Sequence, residues 1–395
     1  MATAANTIEQ VKERIEEVTP EQAREEIERG DVVLLDTREL TEWNESHLEG
    51  ATLVPPIEVT DRADEVAPDS GQRVLIYCAS GNRSARAADE LQALGYESVA
   101  SVAGGIKAWE AAGLPVIGAE GLTPEQRMRY SRHTLLPEVG VEGQAKLLAS
   151  KVLLLGAGGL GSPSALYLAA AGIGTIGIVD DDLVDESNLQ RQVIHDTTRV
   201  GAPKTESARQ TIERLNPDVD VIEHRTRLGS ENVLELLEPY DMIVDGADNF
   251  PTRYLLNDAS VRLRKPVVSA SILGFEGQVS TFVPYEGPCY RCLYPTPPPP
   301  ELAPSCGAAG VLGVMAGVMG LLQANEVIKL AAEIGEPLVG RLLLYDSLGT
   351  RFTELKVRRD PECPICGPDA EEIPESELGK FPDYEAFCAG RPVAA

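Results

Sequence analysis

Apolar residues in this chain come in short unbroken runs, separated by longer stretches in which they recur every three or four positions. VVLLD (32–36) and VLIYC (74–78) have strand length, while SARAADELQALG (84–95) carries its apolar residues at helical spacing. Repeated over residues 19–117, this alternation predicts a small parallel α/β domain. A Gly- and Pro-bearing stretch, AAGLPVIGAEGLTPEQ (111–126), breaks the rhythm, and we place a linker near 118–122. A second series then fills 122–367: helical RMRYSRHTLL, strand KVLLLG (151–156), a glycine-rich turn, helix SPSALYLAAAG, strand TIGIVD (175–180) and an apolar helix over 311–332. The expected fold class is α/β, a small domain followed by a larger nucleotide-binding one. The first residues, MATAANTIEQVKERIEEV, read as a charged amphipathic helix. Residues 368–395 read as an acidic, Pro-punctuated and loosely ordered tail, with a docking role for its aromatics.

Length agrees with this division, because 395 residues exceed what one ordinary core fills. No apolar run is expected to reach the roughly 18 to 20 residues of a membrane span, and the N-terminus lacks the basic-then-apolar order of a secretion signal. We therefore expect a cytoplasmic protein without membrane attachment. The net charge of −27 argues against nucleic acid as the main ligand, since phosphate binding needs clustered Lys and Arg. Seven cysteines in such a chain point to metal ligands or catalytic thiols rather than disulfides.

Three constellations carry chemistry. Gly156-Ala-Gly158-Gly159-Leu-Gly161 follows a strand and opens a helix, so its N–H groups can cradle a phosphate chain. Asp180 ends the next strand, where a carboxylate accepts ribose hydroxyls. By themselves these also fit a dinucleotide oxidoreductase. Next come Ser187-Asn188-Leu189-Gln190-Arg191-Gln192, Lys204, Asp245-Gly-Ala-Asp248-Asn249 and Arg253; taken singly, Asn188 could cap a helix and Arg191 or Lys204 could be solvated charges. Second, Cys289-Tyr-Arg-Cys292 and Cys363-Pro-Ile-Cys366 supply four thiolates, which suit a closed structural metal site better than a redox pair. Third, Cys78-Ala-Ser-Gly-Asn-Arg83-Ser84 joins a strand to a helix, so turn N–H groups converge on the sulfur and favour a thiolate or persulfide. Four residues separate Cys78 from Arg83, one fewer than in the loop of a cysteine phosphatase, and the tighter loop fits a single sulfur atom. Cys306 lies in the Pro/Gly-rich TPPPPELAPSCGAAGVLG, and Cys388 in the tail.

The ordered motifs from 122 to 367 resemble the MoeB/ThiF adenylyltransferases, relatives of ubiquitin-activating enzymes. Residues 19–117, with LLDTRELTEWNESHLEGATLVP upstream of Cys78 and GGIKAW downstream, resemble a single rhodanese domain. The resemblance implies a rhodanese-like α/β domain followed by a Rossmann-like adenylation domain with a structural Zn²⁺ site. It implies ATP binding by Gly159, Asp180, Ser187, Asn188 and Arg191, Lys204 on the phosphates, and Mg²⁺ on Asp248 with Asn249 beside it. Arg132, in RYSRH, matches an arginine that reaches ATP in the neighbouring subunit, so a homodimer is implied. Cys289, Cys292, Cys363 and Cys366 would hold the zinc. Asp36 and Arg38 would shape the loop in which Cys78 and Arg83 act, and Cys306 would take part in the sulfur hand-off or join covalently to the carrier.

The implied reaction adenylates the C-terminal glycine of a small ubiquitin-like sulfur-carrier protein ending in Gly-Gly. Cys78, loaded by a cysteine desulfurase or thiosulfate, then delivers persulfide sulfur to give a thiocarboxylate, which could feed molybdopterin, thiamine, cysteine or tRNA thiolation. The alternative keeps the adenylation and has the first domain only dock a separate sulfur donor. In related fusions the rhodanese domain often comes last, whereas here it comes first.

Overall fold

The structure, a computed structural model, describes residues 7–118, 122–298, 310–368 and 379–389. Two compact units divide the chain, residues 1–137 and 138–395.

The first unit is built on a five-stranded, all-parallel sheet in the order Glu16–Val18, Val99–Val102, Arg73–Tyr77, Val32–Asp36, Thr52–Leu53. Its central strands are apolar without interruption because both faces are covered. Val74 and Ile76 enter one core cluster with Leu35, while Leu75 and Tyr77 enter the other with Leu34. One finding departs from the sequence reading: among the described residues the N-terminal segment is helical only over Ile8–Lys12. That helix starts on a Thr7–Gln10 capping box, and Glu16–Val18 then pairs with the edge of the sheet. Unmet backbone groups on that edge outweigh the helical propensity of a Glu-rich stretch.

The second unit carries an eight-stranded sheet in the order Asp220–His224, Thr175–Val179, Lys151–Leu155, Met242–Asp245, Val267–Leu273, Glu276–Phe282, Arg341–Asp346, Arg351–Lys356. The first five strands run parallel and the last three join antiparallel. Val152 and Leu154 go to one core cluster, Leu153 and Leu155 to the other. Each such buried aliphatic side chain contributes about 1.5–3 kcal/mol. Lys151–Leu155 lies between strands that the chain reaches in opposite directions, and the crevice beyond the carboxyl ends of such strands is where α/β sheets bind ligands.

Helix Gly313–Ala332 packs against helix Gly161–Ala171 and the sheet. By length and composition, with a window of mean hydropathy 1.2, it could cross a membrane, contrary to the expectation that no run would reach that length. Here it is a core helix. Half of that window is buried, and Gln323 donates to the carbonyls of Asp245 (2.8 Å) and Val268 (3.0 Å).

A second correction concerns the tail. Residues 379–389 are not loose: helix Tyr384–Cys388 packs on helix Phe250–Arg262. The Tyr384 hydroxyl donates to Asp258 at 2.7 Å, and Arg291 meets the same carboxylate through two bonds of 2.8 Å. Phe387 stands edge-on to Tyr254, 5.1 Å between centroids, and under the Arg291 guanidinium. The aromatics of the tail do dock, onto their own chain.

Candidate functional site

At the end of strand Arg73–Tyr77 the backbone is pinned before it turns. The Thr37 N–H and hydroxyl both donate to the Tyr77 carbonyl, at 2.9 and 3.1 Å. Arg38 forms a buried bidentate pair with Asp36 (2.9 and 2.7 Å) and lies over the Tyr77 ring. Asp36 and Arg38 thus shape the loop by fixing the residue ahead of Cys78. The turn closes around the sulfur: the Gly81 N–H donates to Cys78 Sγ at 3.1 Å and the Ser84 hydroxyl at 3.4 Å, while Ser101 donates to Ser84 at 2.9 Å. Gly105 has φ of +61°, and a Cβ there would sit 2.1 Å from the Cys78 carbonyl oxygen, so only glycine lets helix Gly105–Ala111 approach this closely. Burial of Cys78 opposes its ionisation, but the Ser84 hydroxyl and the N–H groups of Ser84, Ser80 and Arg83 more than offset it. The thiol therefore ionises below its ordinary range. Arg83 reaches across to Glu42 with bonds of 2.7 and 2.6 Å.

In the second unit the glycine-rich turn, strand ends and helix starts enclose a cleft of about 780 Å³. Gly156 turns the chain at φ +97°, and a Cβ on Gly161 would collide with its carbonyl at 1.9 Å. The cleft is lined by Gly158, Gly159, Asp180, Asp182, Arg191, Gln192, Lys204, Asp248, Asn249 and Arg253, which brings together most of the nucleotide-site residues read from the sequence. Asp180 accepts the Ala157 and Asp182 N–H groups at 2.8 and 2.9 Å, and burial pushes its carboxyl pKa up. Buried Lys204 is held by Asp182 at 2.6 Å. On the opposite wall Asn249 caps helix Phe250–Arg262 by accepting the Thr252 N–H, and its amide donates to Asp248 at 3.2 Å. Arg253 ties this loop down through the carbonyls of Ala247 (2.6 Å) and Ala270 (2.8 Å). Asp180, Asp181 and Asp182 bring carboxylate oxygens within 4.8 Å of one another, a second place that could hold a cation.

Ser187 and Asn188 are not among the residues lining the cleft. Asn188 accepts from the Arg191 guanidinium, and Ser187 lies in a turn capped by Asp185. Arg132 is exposed on the short helix Ser131–Thr134 of the first unit. Cys306 lies outside the described residues. Sequence reasoning missed Thr226, Arg227 and Cys388 as parts of the cleft wall. Burial pushes the Cys388 thiol up to about 11.

The four remaining cysteines converge. Cys289 lies 3.9 Å from Cys292 and 3.7 Å from Cys363, and Cys292 lies 3.4 Å from Cys366, sulfur to sulfur. A tetrahedral ion bonded at about 2.3 Å sets its ligand sulfurs about 3.8 Å apart, so the donor set fits such an ion and is too open for a disulfide of about 2.05 Å. Asp360 donates its N–H to Cys292 Sγ at 3.3 Å, an outer bond that steadies a thiolate.

Comparison with known proteins agrees with the two units. Residues 130–365 match the ThiF family and residues 19–112 the rhodanese-like domain. A sulfur carrier protein adenylyltransferase of Thermus thermophilus is 51% identical over 274 residues, which cover 68% of this chain and 99% of that protein. The adenylyltransferase and sulfurtransferase MOCS3 of Anopheles gambiae is 51% identical over 271 residues, 68% of this chain but 60% of that protein's length. Among solved structures, Escherichia coli MccB with ATP has a TM-score of 0.55 at 27% identity, covering 60% of this chain and 74% of that one.

Proposed function

From the premise that this chain belongs to the ThiF family and carries a rhodanese-like domain ahead of it in sequence, we propose that it is an adenylyltransferase and sulfurtransferase acting on a small ubiquitin-like sulfur carrier that ends in Gly-Gly. The single observation that carries the reading is the presence, in one chain, of a glycine-lined cleft at the strand ends and a cysteine whose sulfur accepts from the Gly81 N–H and the Ser84 hydroxyl. The similarity to one protein named as a sulfur carrier protein adenylyltransferase and to another named for both activities supports it.

In the cleft, Gly158 and Gly159 would take the phosphates, Asp180 the ribose, and Lys204 and Arg191 the charge that builds as the carrier's carboxylate attacks the α-phosphorus. The nucleophile is already ionised, so no general base is required. Asp248, with Asn249 beside it, would hold Mg²⁺, which when bound offsets phosphate charge. Cys289, Cys292, Cys363 and Cys366 would hold Zn²⁺, tying residues 363–366 back to the main unit. Arg132 would complete the cleft of a second subunit in a homodimer.

Cys78 accepts a sulfur from a cysteine desulfurase or from thiosulfate, and its persulfide attacks the carrier's acyl-adenylate. The C–S bond forms, the C–O bond to phosphate breaks and AMP leaves, giving an acyl disulfide on Cys78. A second thiol, Cys306 or an external one, then attacks Cys78 Sγ; the thiocarboxylate leaves and an external thiol reduces the remaining disulfide. We place the reaction in the cytoplasm, where thiols stay reduced. The test is intact-mass analysis of Gly-Gly-ended carriers incubated with enzyme, Mg·ATP and a sulfur donor. Exchange of one oxygen for sulfur with wild type, and none with Cys78→Ala, is expected. Equal exchange by Cys78→Ala would reduce the first domain to a docking module.

A further inference from the structure

Arg83 closes the Cys78 loop as the second residue of helix Asn82–Ala93, and the next residue, Ser84, donates to the Cys78 sulfur. The Arg83 guanidinium is clamped by Glu42, whose two carboxylate oxygens lie 2.6 and 2.7 Å from its two terminal nitrogens. Arg83 and Glu42 are each about one third exposed, so a donor arriving from solvent meets this pair beside a sulfur that is itself almost fully buried. Arg38, a second guanidinium at this end of the sheet, is bonded to Asp36 and buried. Across residues 7–118 acidic residues outnumber basic ones by more than two to one, so the wider field does not attract anions either. A loop built to receive a small dianion would leave the cation that closes it free; here Arg83 already carries a carboxylate.

We propose that Glu42 sets the charge class of the sulfur donor: by neutralising Arg83 it disfavours dianionic thiosulfate and leaves Cys78 to an alkyl persulfide, R–S–S⁻, borne by a protein or a small thiol. The inference rests on the reading of Cys78 as the sulfur-loading nucleophile. With thiosulfate, the Cys78 thiolate attacks the sulfane sulfur, the S–S bond breaks and sulfite leaves with the electron pair, so three negative charges converge in the encounter. With an alkyl persulfide, the thiolate attacks the terminal sulfur and R–S⁻ leaves, so two charges meet, or one if the persulfide arrives protonated. Both routes end in Cys78 persulfide and need no further oxidant or reductant.

The experiment loads the full chain, wild type and Glu42→Gln, with thiosulfate, with methanethiosulfonate, which has one charge fewer, and with cysteine persulfide. Gain of one sulfur on Cys78 is followed by intact mass. In Glu42→Gln the ratio of thiosulfate to cysteine persulfide loading rises at least about tenfold, through a lower KM for thiosulfate, and the gain fades with added salt. It disappears in Glu42→Gln/Arg83→Gln, where no cation is released. An unchanged ratio, or a gain that survives loss of Arg83, overturns the proposal, because a pair that merely braces the loop would slow all donors together. Should Glu42→Gln fail to fold, wild type decides alone: relative to a free thiolate, it must discriminate against thiosulfate more than against methanethiosulfonate, and equal treatment of both refutes the role of Glu42. No loading by any donor would instead remove the reading of Cys78 on which this rests.

Discussion

Replacing Ser84 by alanine tests the electrostatics of the sulfur-loading loop most directly. The Ser84 hydroxyl donates to Cys78 Sγ at 3.4 Å and is itself oriented by Ser101 at 2.9 Å. Among the groups that favour the thiolate its contribution is the largest, working against the burial that disfavours the charge. A hydrogen bond to a charged group contributes about 1.5–3 kcal/mol, and 1.36 kcal/mol corresponds to tenfold in an ionisation equilibrium. Ser84→Ala should therefore lower the thiolate-dependent rate at neutral pH by about ten- to a hundredfold. The sign follows from the direction of the shift: the depressed pKa makes the thiolate available below the ordinary thiol range, and the variant returns that window to higher pH. Alkylation of Cys78 by iodoacetamide, followed by mass across pH, should show the variant's profile displaced to higher pH and meeting wild type in strongly alkaline solution. Ser101→Ala should move the profile in the same direction by less. A profile that stays in place, or a loss of rate that is equal at every pH, would refute the assignment of Ser84 as a thiolate stabiliser.

Lys204→Ala should slow carrier-dependent ATP–pyrophosphate exchange by about 10²- to 10³-fold, the usual cost of removing one preorganised contact to developing charge; a rate near wild type would take Lys204 off the phosphates. Cys363→Ser should lose bound metal by elemental analysis and melt at lower temperature, as chelation of wild type should also do, whereas retention of metal and melting point would argue against a closed four-thiolate site. Tyr384→Phe should lower the unfolding free energy of the second unit by about 1.5–3 kcal/mol in urea titration, since it removes a buried hydrogen bond to the Asp258 carboxylate; no change would mean that the tail helix is held by its aromatics alone.

What the sequence shows well is what lies close together along the chain. The glycine turn, Asp180 at the next strand end and the Cys78 loop each span a single strand-to-helix junction, so local pattern and φ demands announce them. The four cysteines were legible across 74 residues because two identically spaced pairs suggest one donor set. Glu42 was not, since nothing in its local pattern announces that it clamps Arg83, 41 residues on. The Ser187-to-Gln192 run marked the right segment but not which side chains face the cleft. Asn188 spends its amide on Arg191, a choice made by a turn rather than by spacing. The tail misled because its acidic, Pro-rich composition signals disorder, while Tyr384 and Phe387 find a buried Asp258–Arg291 pair supplied by residues roughly 100 positions upstream.

The clamp of Asp182 on Lys204 has a consequence for how the cleft fills. A phosphate that reaches the lysine evicts a carboxylate already seated there, so entry is an exchange of one anion for another, as on an ion-exchange resin. Because Asp182 is tethered and carries one charge while a nucleotide's phosphates would arrive from solution with several, added salt should shift that exchange back toward the carboxylate.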